Sequence, residues 1–265
     1  MSDWSLVLAY YNEAAFLPAT LAAIAAQHHV GFTLILVDNA SSDGSADIAR
    51  ATMATFPHVD VRFLHEPKPG QLNALETGLA TVTTEFVGFC DADTYYPPHY
   101  LSVANRLLTR KWRPAVAALA FGIDCDPTDT GSRFRRRLYT HVMSRLLRYQ
   151  AHDGGFGYCF KTDALRSAGG YAQRHWQHVL ADHELMNRVF RYGDCAYDPD
   201  LWCKPSDRRP DSPSTRWTLP ERILYHATPF ALKDWYFYKF LGPRFAARKM
   251  SALNYRTERS WETSV

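Results

Sequence analysis

The 265-residue chain is 46% hydrophobic and 22% charged, a composition suited to a folded α/β protein and too apolar for a disordered one. Its net charge of +3 conceals a division: residues 1–100 hold 11 acids and three bases, a net of −8, and residues 101–265 hold 16 acids and 27 bases, a net of +11. No apolar run approaches the roughly 18 residues of a membrane-spanning helix, and no zinc-finger or aromatic RNA-binding signature makes nucleic acid an expected partner.

Residues 4–11 (WSLVLAYY) read as a buried strand, and Leu17, Leu21 and Ile24 recur at helical spacing in the stretch to about Gln27. A second buried strand at 32–37 (FTLILV) runs into Asp38-Asn39-Ala40-Ser41, and Ser45 is placed to cap a helix over 46–56. Residues 60–65 alternate as a strand, Leu72, Leu75 and Leu79 give a third helix after the Pro69-Gly70 turn, and 85–90 (EFVGFC) form a fourth strand ending at Asp91-Ala92-Asp93. Strands and helices that alternate over short links predict right-handed β-α-β units and a parallel sheet. Beyond residue 110 the sequence predicts a strand at 114–121 and a basic amphipathic helix at 133–150. A glycine-rich turn at 153–158, a helix over 182–192 and a polar loop at 204–216 follow. The division is then 1–110 and 111–220 as two halves of one domain, with 221–265 a helical extension rich in aromatics and bases.

Three polar clusters, Tyr11-Asn12-Glu13, Asp38-Asn39 and Asp91-Ala92-Asp93, fall just after strand ends. In open α/β sheets ligands bind at those carboxyl ends. Two carboxylates one residue apart suit a single Mg²⁺ or Mn²⁺ ion, with phosphate oxygens and water as its other ligands. There is no G-x-G-x-x-G and no Walker A motif, and residues 9–16 lack the Gly, Arg and Lys that a triphosphate-binding loop needs.

In this order the motifs resemble those of glycosyltransferase family 2, the inverting enzymes of GT-A fold. The likeness runs from Tyr11-Asn12-Glu13 through Asp38–Gly44, Gly70 with Asn73, and Asp91 with Asp93. It continues through Gly154-Gly155 and Gly169-Gly170-Tyr171 to Ala181-Asp182-His183-Glu184-Leu185. It departs at Ala9, where Pro or Thr is commoner, at Asn39, where Asp is, and at Ala181, where Glu is. The resemblance implies a nucleotide-sugar donor, UDP by default, held by Ala9, Tyr11, Glu13, Asp38, Asn39, Gly70, Asn73, Asp91 and Ala92. Tyr11 would stack on the base, with Asp38 or Asn39 bonded to it. Asp93 would ligate the metal, helped by Asp91 and by a late histidine, His226. Asp182 would be the general base, with Glu184 in reserve, and Gly154 and Gly155 would line the acceptor side. Lys204, Arg208 and Arg209 would clamp the diphosphate.

The processive members' Gln-x-x-Arg-Trp motif is broken, because Pro213 stands where the glutamine would precede Arg216-Trp217. Transfer of one sugar to a carbohydrate, lipid-linked or small-molecule acceptor is therefore expected. The competing readings are a sugar-nucleotide nucleotidyltransferase and a degenerate nucleotide-binding scaffold. The Arg133–Arg148 helix and residues 222–249 would either pack on the domain or meet a membrane surface. Five cysteines without a C-x-x-C pair, and an N-terminus without a basic leader, suggest free thiols and a cytoplasmic location, with peripheral contact to the inner membrane face as the alternative. Oligomeric state is left open.

Overall fold

β1 (Trp4–Tyr10) and β2 (Phe32–Asp38) are buried almost end to end, as strands covered on both faces must be. They pair in parallel with each other. β1 also pairs in parallel with β4 (Phe86–Asp91), and β2 with β3 (Asp60–His65), whose partly exposed residues mark a sheet edge. The computed structural model describes residues 3–29, 31–112, 114–122, 149–151, 155–206 and 217–251, with isolated positions between 131 and 146.

The central sheet has the order β3-β2-β1-β4-β8-β6-β9, where β6 is Ala115–Leu119, β8 is Gly157–Lys161 and β9 is Asp194–Ala196. Only β8 runs against its neighbours. Its first residues fall in what reads from sequence as a glycine-rich turn. Gly157 is in the sheet because a Cβ there would come within 2.9 Å of the Ala120 Cβ. A smaller sheet joins β5 (Thr94–Tyr95), β10 (Trp202–Pro205) and β7 (Phe121–Gly122), so the start of the expected 204–216 loop is strand.

Helices cover both faces. Leu6, Leu8, Leu34 and Leu36 pack on α1 (Leu17–Ala25), α2 (Ser45–Ala54) and α4 (Tyr100–Thr109). Val7, Ile35, Val37, Val87 and Phe89 pack on α3 (Gln71–Ala80), α5 (Thr162–Ser167) and α6 (Ala181–Val189). The alternating inward residues of each strand thus divide into two cores.

A third core gathers Trp176, Tyr225, Tyr236, Phe237, Leu241 and Phe245 against Leu180 and Ala181. It is built by α7 (Leu219–Ala227), a π-helical stretch Trp235–Leu241 and α8 (Gly242–Ala247). α7 opens with a capping box between Thr218 and Glu221. The aromatic face of the C-terminal segment is therefore packed against the loop that leads into α6. Lys233 is 2% exposed at this joint; its ammonium lies 3.7 Å from the Tyr225 ring centroid and donates to the Tyr225 carbonyl. Burial lowers its pKa from 10.5 to about 8. Between those two values the unfolded chain binds more protons than the folded one, so stability should rise with pH across that window. Urea unfolding near pH 8 and near pH 10.5 should show this gain in the wild type and lose it in Lys233→Met; an equal gain in both would assign it to other groups.

Candidate active site

The register sets the strand ends level. Tyr10 lies beside Asp38, Asp38 beside His65, and Ala9 beside Asp91. β1 continues into a loop at Tyr11, which is partly exposed at the sheet's carboxyl edge.

Two loops are laced together there. Asn12, at φ +53°, accepts from the Ser42 amide at 2.8 Å, and its own amide donates to Ser41 Oγ at 3.1 Å. The Ala14 amide donates to Asp43 Oδ2 at 3.1 Å, and the Glu13 amide to Ser45 Oγ at 2.8 Å. Ser45 therefore does not cap α2; its hydroxyl is turned to the first loop, and Gly44 at φ +84° precedes the helix instead. Burial raises the Asp43 pKa, but the Ser45 hydroxyl and the Ala14 and Ser45 amides outweigh it and hold the carboxyl below its ordinary value. Glu13 is buried behind this junction.

Asp38 and Asn39 diverge. Asp38 accepts from the Ser41 amide at 3.0 Å and faces His65 Nδ1 at 3.1 Å. Asn39 is buried, and its amide donates to the Glu66 carbonyl at 3.0 Å and the Lys68 carbonyl at 2.8 Å, while accepting from the Gly70 amide at 2.8 Å. Asn73 clasps the same loop through the Pro69 carbonyl at 2.8 Å. Asn39 thus clamps the 66–70 loop. The clamp needs two donors and an acceptor, which an amide supplies and an ionised carboxylate does not. Gly70 closes the loop at φ +126°, a conformation open to glycine.

At the end of β4, Asp91 faces Gln71 Nε2 at 3.4 Å, Ala92 is buried behind it, and Asp93 accepts from Ser206 Oγ at 2.9 Å. Asp93 and Lys204 line one cavity of about 210 Å³ with Phe16, Thr20 and Tyr95. The Asp91 amide donates to the Tyr96 hydroxyl at 2.8 Å, and that hydroxyl donates to the Phe156 carbonyl. The strand end carrying the aspartates is thereby tied to the segment carrying Gly155.

Gly155 abuts Asp182. A Cβ at Gly155 would lie 2.7 Å from the Asp182 Cβ, so a side chain would push the acid away. Burial raises the Asp182 pKa, but the His183 imidazole at 3.1 Å, the His183 amide at 2.9 Å and the Gly155 amide hold the carboxyl below its ordinary value. The carboxyl is therefore ionised at neutral pH. Leu180, just before α6, sits at φ +64°, a strained position for a non-glycine residue next to Asp182. Buried Tyr171 joins the two halves: after burial, the charges of Asp182 and Asp91 are what raise its pKa. Tyr171 closes the Gly169-Gly170-Tyr171 motif, whose spacing does not mark it as lying beside Gly155 and Asp182.

Other expected residues take structural positions. Glu184 is buried against Arg188 at 2.8 Å and also accepts from Tyr238, while Arg188 binds the Ala168 and Gly170 carbonyls. His226 Nδ1 lies 2.7 Å from Gln150 Oε1. Burial lowers its pKa, and Lys233, Arg222 and His183 lower it further. Among the described residues the ring forms no metal-holding group with Asp91 and Asp93. Gly154, Arg208 and Arg209 lie outside the described residues.

The sequence model of the family described as glycosyl transferase family 2 matches residues 5–167. The chain belongs to that family. A family 2 chain should have glycosyltransferase relatives. An uncharacterized glycosyltransferase of Nostoc sp., alr2836, is 31% identical over 97 residues, which cover 37% of this chain and 30% of that protein. The undecaprenyl-phosphate 4-deoxy-4-formamido-L-arabinose transferase of Aeromonas hydrophila is 35% identical over 97 residues, covering 36% and 30%. The chain spans about 30% of the length of these curated relatives.

Two solved structures share the GT-A fold. One is the mannosyltransferase PcManGT of Pyrobaculum calidifontis, in complex with GDP-Man and Mn²⁺. It has a TM-score of 0.67 at 20% identity, covering 97% of this chain and 76% of its own. The other is S. aureus TarS 1-349 in complex with UDP-GlcNAc, with a TM-score of 0.60 at 17% identity, covering 93% and 73%.

The clamp gives a direct test within the family 2 core. Asn39→Asp should destabilise the fold by about 1 kcal/mol, because two part-buried carbonyls lose their donors. Urea unfolding at neutral pH measures this; unchanged stability would mean that the loop is held without Asn39.

Proposed function

We propose that this chain is a metal-dependent, inverting glycosyltransferase. It moves one sugar from a nucleoside diphosphate sugar, UDP-linked by default, to an acceptor hydroxyl. The observation that carries the reading is the tie between the two sides at the carboxyl edge of the sheet: the Tyr96 hydroxyl joins the Asp91 amide to the Phe156 carbonyl, and the neighbouring Gly155 abuts Asp182. Donor-side and acceptor-side carboxylates then face one reaction space, as a single displacement requires.

The oxygen donors at the end of β4 fit a hard divalent ion. They are the Asp91 and Asp93 carboxylates and the Ser206 hydroxyl that meets Asp93. Among the described residues no group of three or more His, Cys, Asp or Glu could hold a metal alone, which suits an ion that arrives with the donor's phosphates. When bound, Mn²⁺ or Mg²⁺ supplies positive charge for the departing diphosphate. Lys204 lines the Asp93 cavity and adds a cation on that side. The ion and GDP-Man in PcManGT, and UDP-GlcNAc in TarS, support this donor class.

The chemistry assigned to this chain's residues follows from the Asp182 site. Its carboxylate is ionised at neutral pH and takes the proton of the acceptor hydroxyl. The acceptor oxygen forms a bond to the anomeric carbon as the bond from that carbon to the diphosphate oxygen breaks, and the configuration inverts. His183 holds Oδ1 of Asp182 through both its amide and its ring. The relative acting on undecaprenyl phosphate supports a lipid-linked acceptor among the classes considered.

A calorimetric donor screen with Mn²⁺ tests the reading as a whole: a nucleoside diphosphate or its sugar should bind, and silence across the panel would overturn it. Asp93→Ala should abolish Mn²⁺-dependent nucleotide binding; unchanged affinity would remove Asp93 from the metal site. Asp182→Asn should keep donor affinity and lower turnover by about a hundredfold or more. Near-normal turnover would make Asp182 structural.

A further inference from the structure

A second surface lies away from this pocket. The described positions between 131 and 146 include Phe134, Arg135, Leu138, Val142, Arg145 and Leu146, all helical and all exposed. Phe134 is 68% exposed, Leu138 54%, Val142 39% and Leu146 73%. At about 100° per residue these six fall within an arc of about 120°. A surface helix ordinarily turns such a stripe toward the core; here the apolar stripe faces out. Contiguous exposed apolar residues at helical spacing mark a surface that something else covers.

The charge of the segment says what that is. Residues 131–150 contain six arginines and no aspartate or glutamate. A second copy would bring two such segments together with no acid between them, which like charges oppose. An anionic lipid surface satisfies both features at once: the acyl boundary takes the apolar stripe, and the headgroups take the arginines. The same pairing recurs in Arg110-Lys111-Trp112-Arg113, where Trp112 is 90% exposed. Tryptophan among bases is the side chain that seats at a headgroup boundary. Among the described residues no helix is long and apolar enough to cross a membrane, so contact of this kind is made in the plane of the surface.

We propose that the exposed helical positions between 131 and 146 form a membrane-interface element that seats this protein on an anionic bilayer. The proposal does not depend on the catalytic reading, and its test uses no donor or acceptor. The full chain is sedimented with phosphatidylcholine vesicles, with and without phosphatidylglycerol, at low and high salt. Wild type should pellet with the anionic vesicles, bind the neutral ones weakly, and be released by salt. The double variant Leu138→Asp with Leu146→Asp should lower binding by about tenfold or more, and Arg135→Glu should lower it specifically on anionic vesicles. All three positions are exposed, so thermal melts of the variants should match wild type; Phe134→Ser provides a milder variant if they do not. Wild type that ignores vesicle charge, variants that bind as wild type does, or a self-associating wild type made monomeric by the same substitutions would each overturn the proposal.

Discussion

The site depends on one constraint, the reversal of strand order at β1. The chain goes from β1 to β2 and β3 on one side, then crosses to β4 on the other. The loops leaving β1 and β4 must part in opposite directions, and no helix can cover the crevice between them. Because β1 is buried along its length and level with both neighbours, polar residues at its end have one place to go. The Tyr11, Asp38 and Asp91 regions are brought together by topology before any side chain chooses a partner.

Much of what the motifs then do is hold loops. Asn12, Ser41, Ser42, Asp43 and Ser45 bond to one another across the first two loops. Asn39 and Asn73 bond to the third. Backbone groups at these turns lie partly out of water, where an unmet donor or acceptor costs about as much as a lost hydrogen bond, so short polar side chains meet them. The pocket is preorganised for this reason, and a motif residue at its edge need not be one that touches a ligand. Tyr96 extends the same logic across the site. One buried hydroxyl accepts from the Asp91 amide and donates to the Phe156 carbonyl, so the metal-side strand and the acceptor-side strand cannot shift independently.

The front half was legible because periodicity and turn residues agree there. Runs such as FTLILV have no alternative to a buried strand, and each ends at a polar cluster. β8 was not legible, because Gly157 serves close packing in a strand while looking like part of a turn. α4 carries apolar residues at helical spacing, Leu101, Ala104, Leu107 and Leu108, but follows the paired prolines 97 and 98 and was passed over. Within the site, the strand-end acids were visible as a pattern. The loop clamp at Asn39 was not, since spacing does not say which way an amide points. The surroundings of His226 were hidden for a related reason: burial first, and then Lys233, Arg222 and His183, which the fold brings near it, lower its pKa.

The uneven charge of the chain now divides along functional lines. Acids of the front half sit at strand ends, where fixed amides and hydroxyls keep them ionised, as at Asp43, or bring them to the donor side, as at Asp91 and Asp93. In the proposed reading, such a concentration of negative charge would repel a bare diphosphate and admit one accompanied by a divalent cation, coupling donor and metal through electrostatics. Of the bases of the back half, Lys204 lines that pocket, and others act elsewhere. Lys233 is buried against Tyr225, Arg188 is used on the Gly170 loop, and the arginines of 131–150 have no acids in their own segment to neutralise them. Arg135 is exposed on the same arc as the apolar stripe, so its charge acts outward. Its pull on an anionic surface decays over a Debye length, about 10 Å at moderate salt, so it orients the molecule only once that face is near contact. Apolar side chains on the same arc then convert a weak, screened attraction into a seated one.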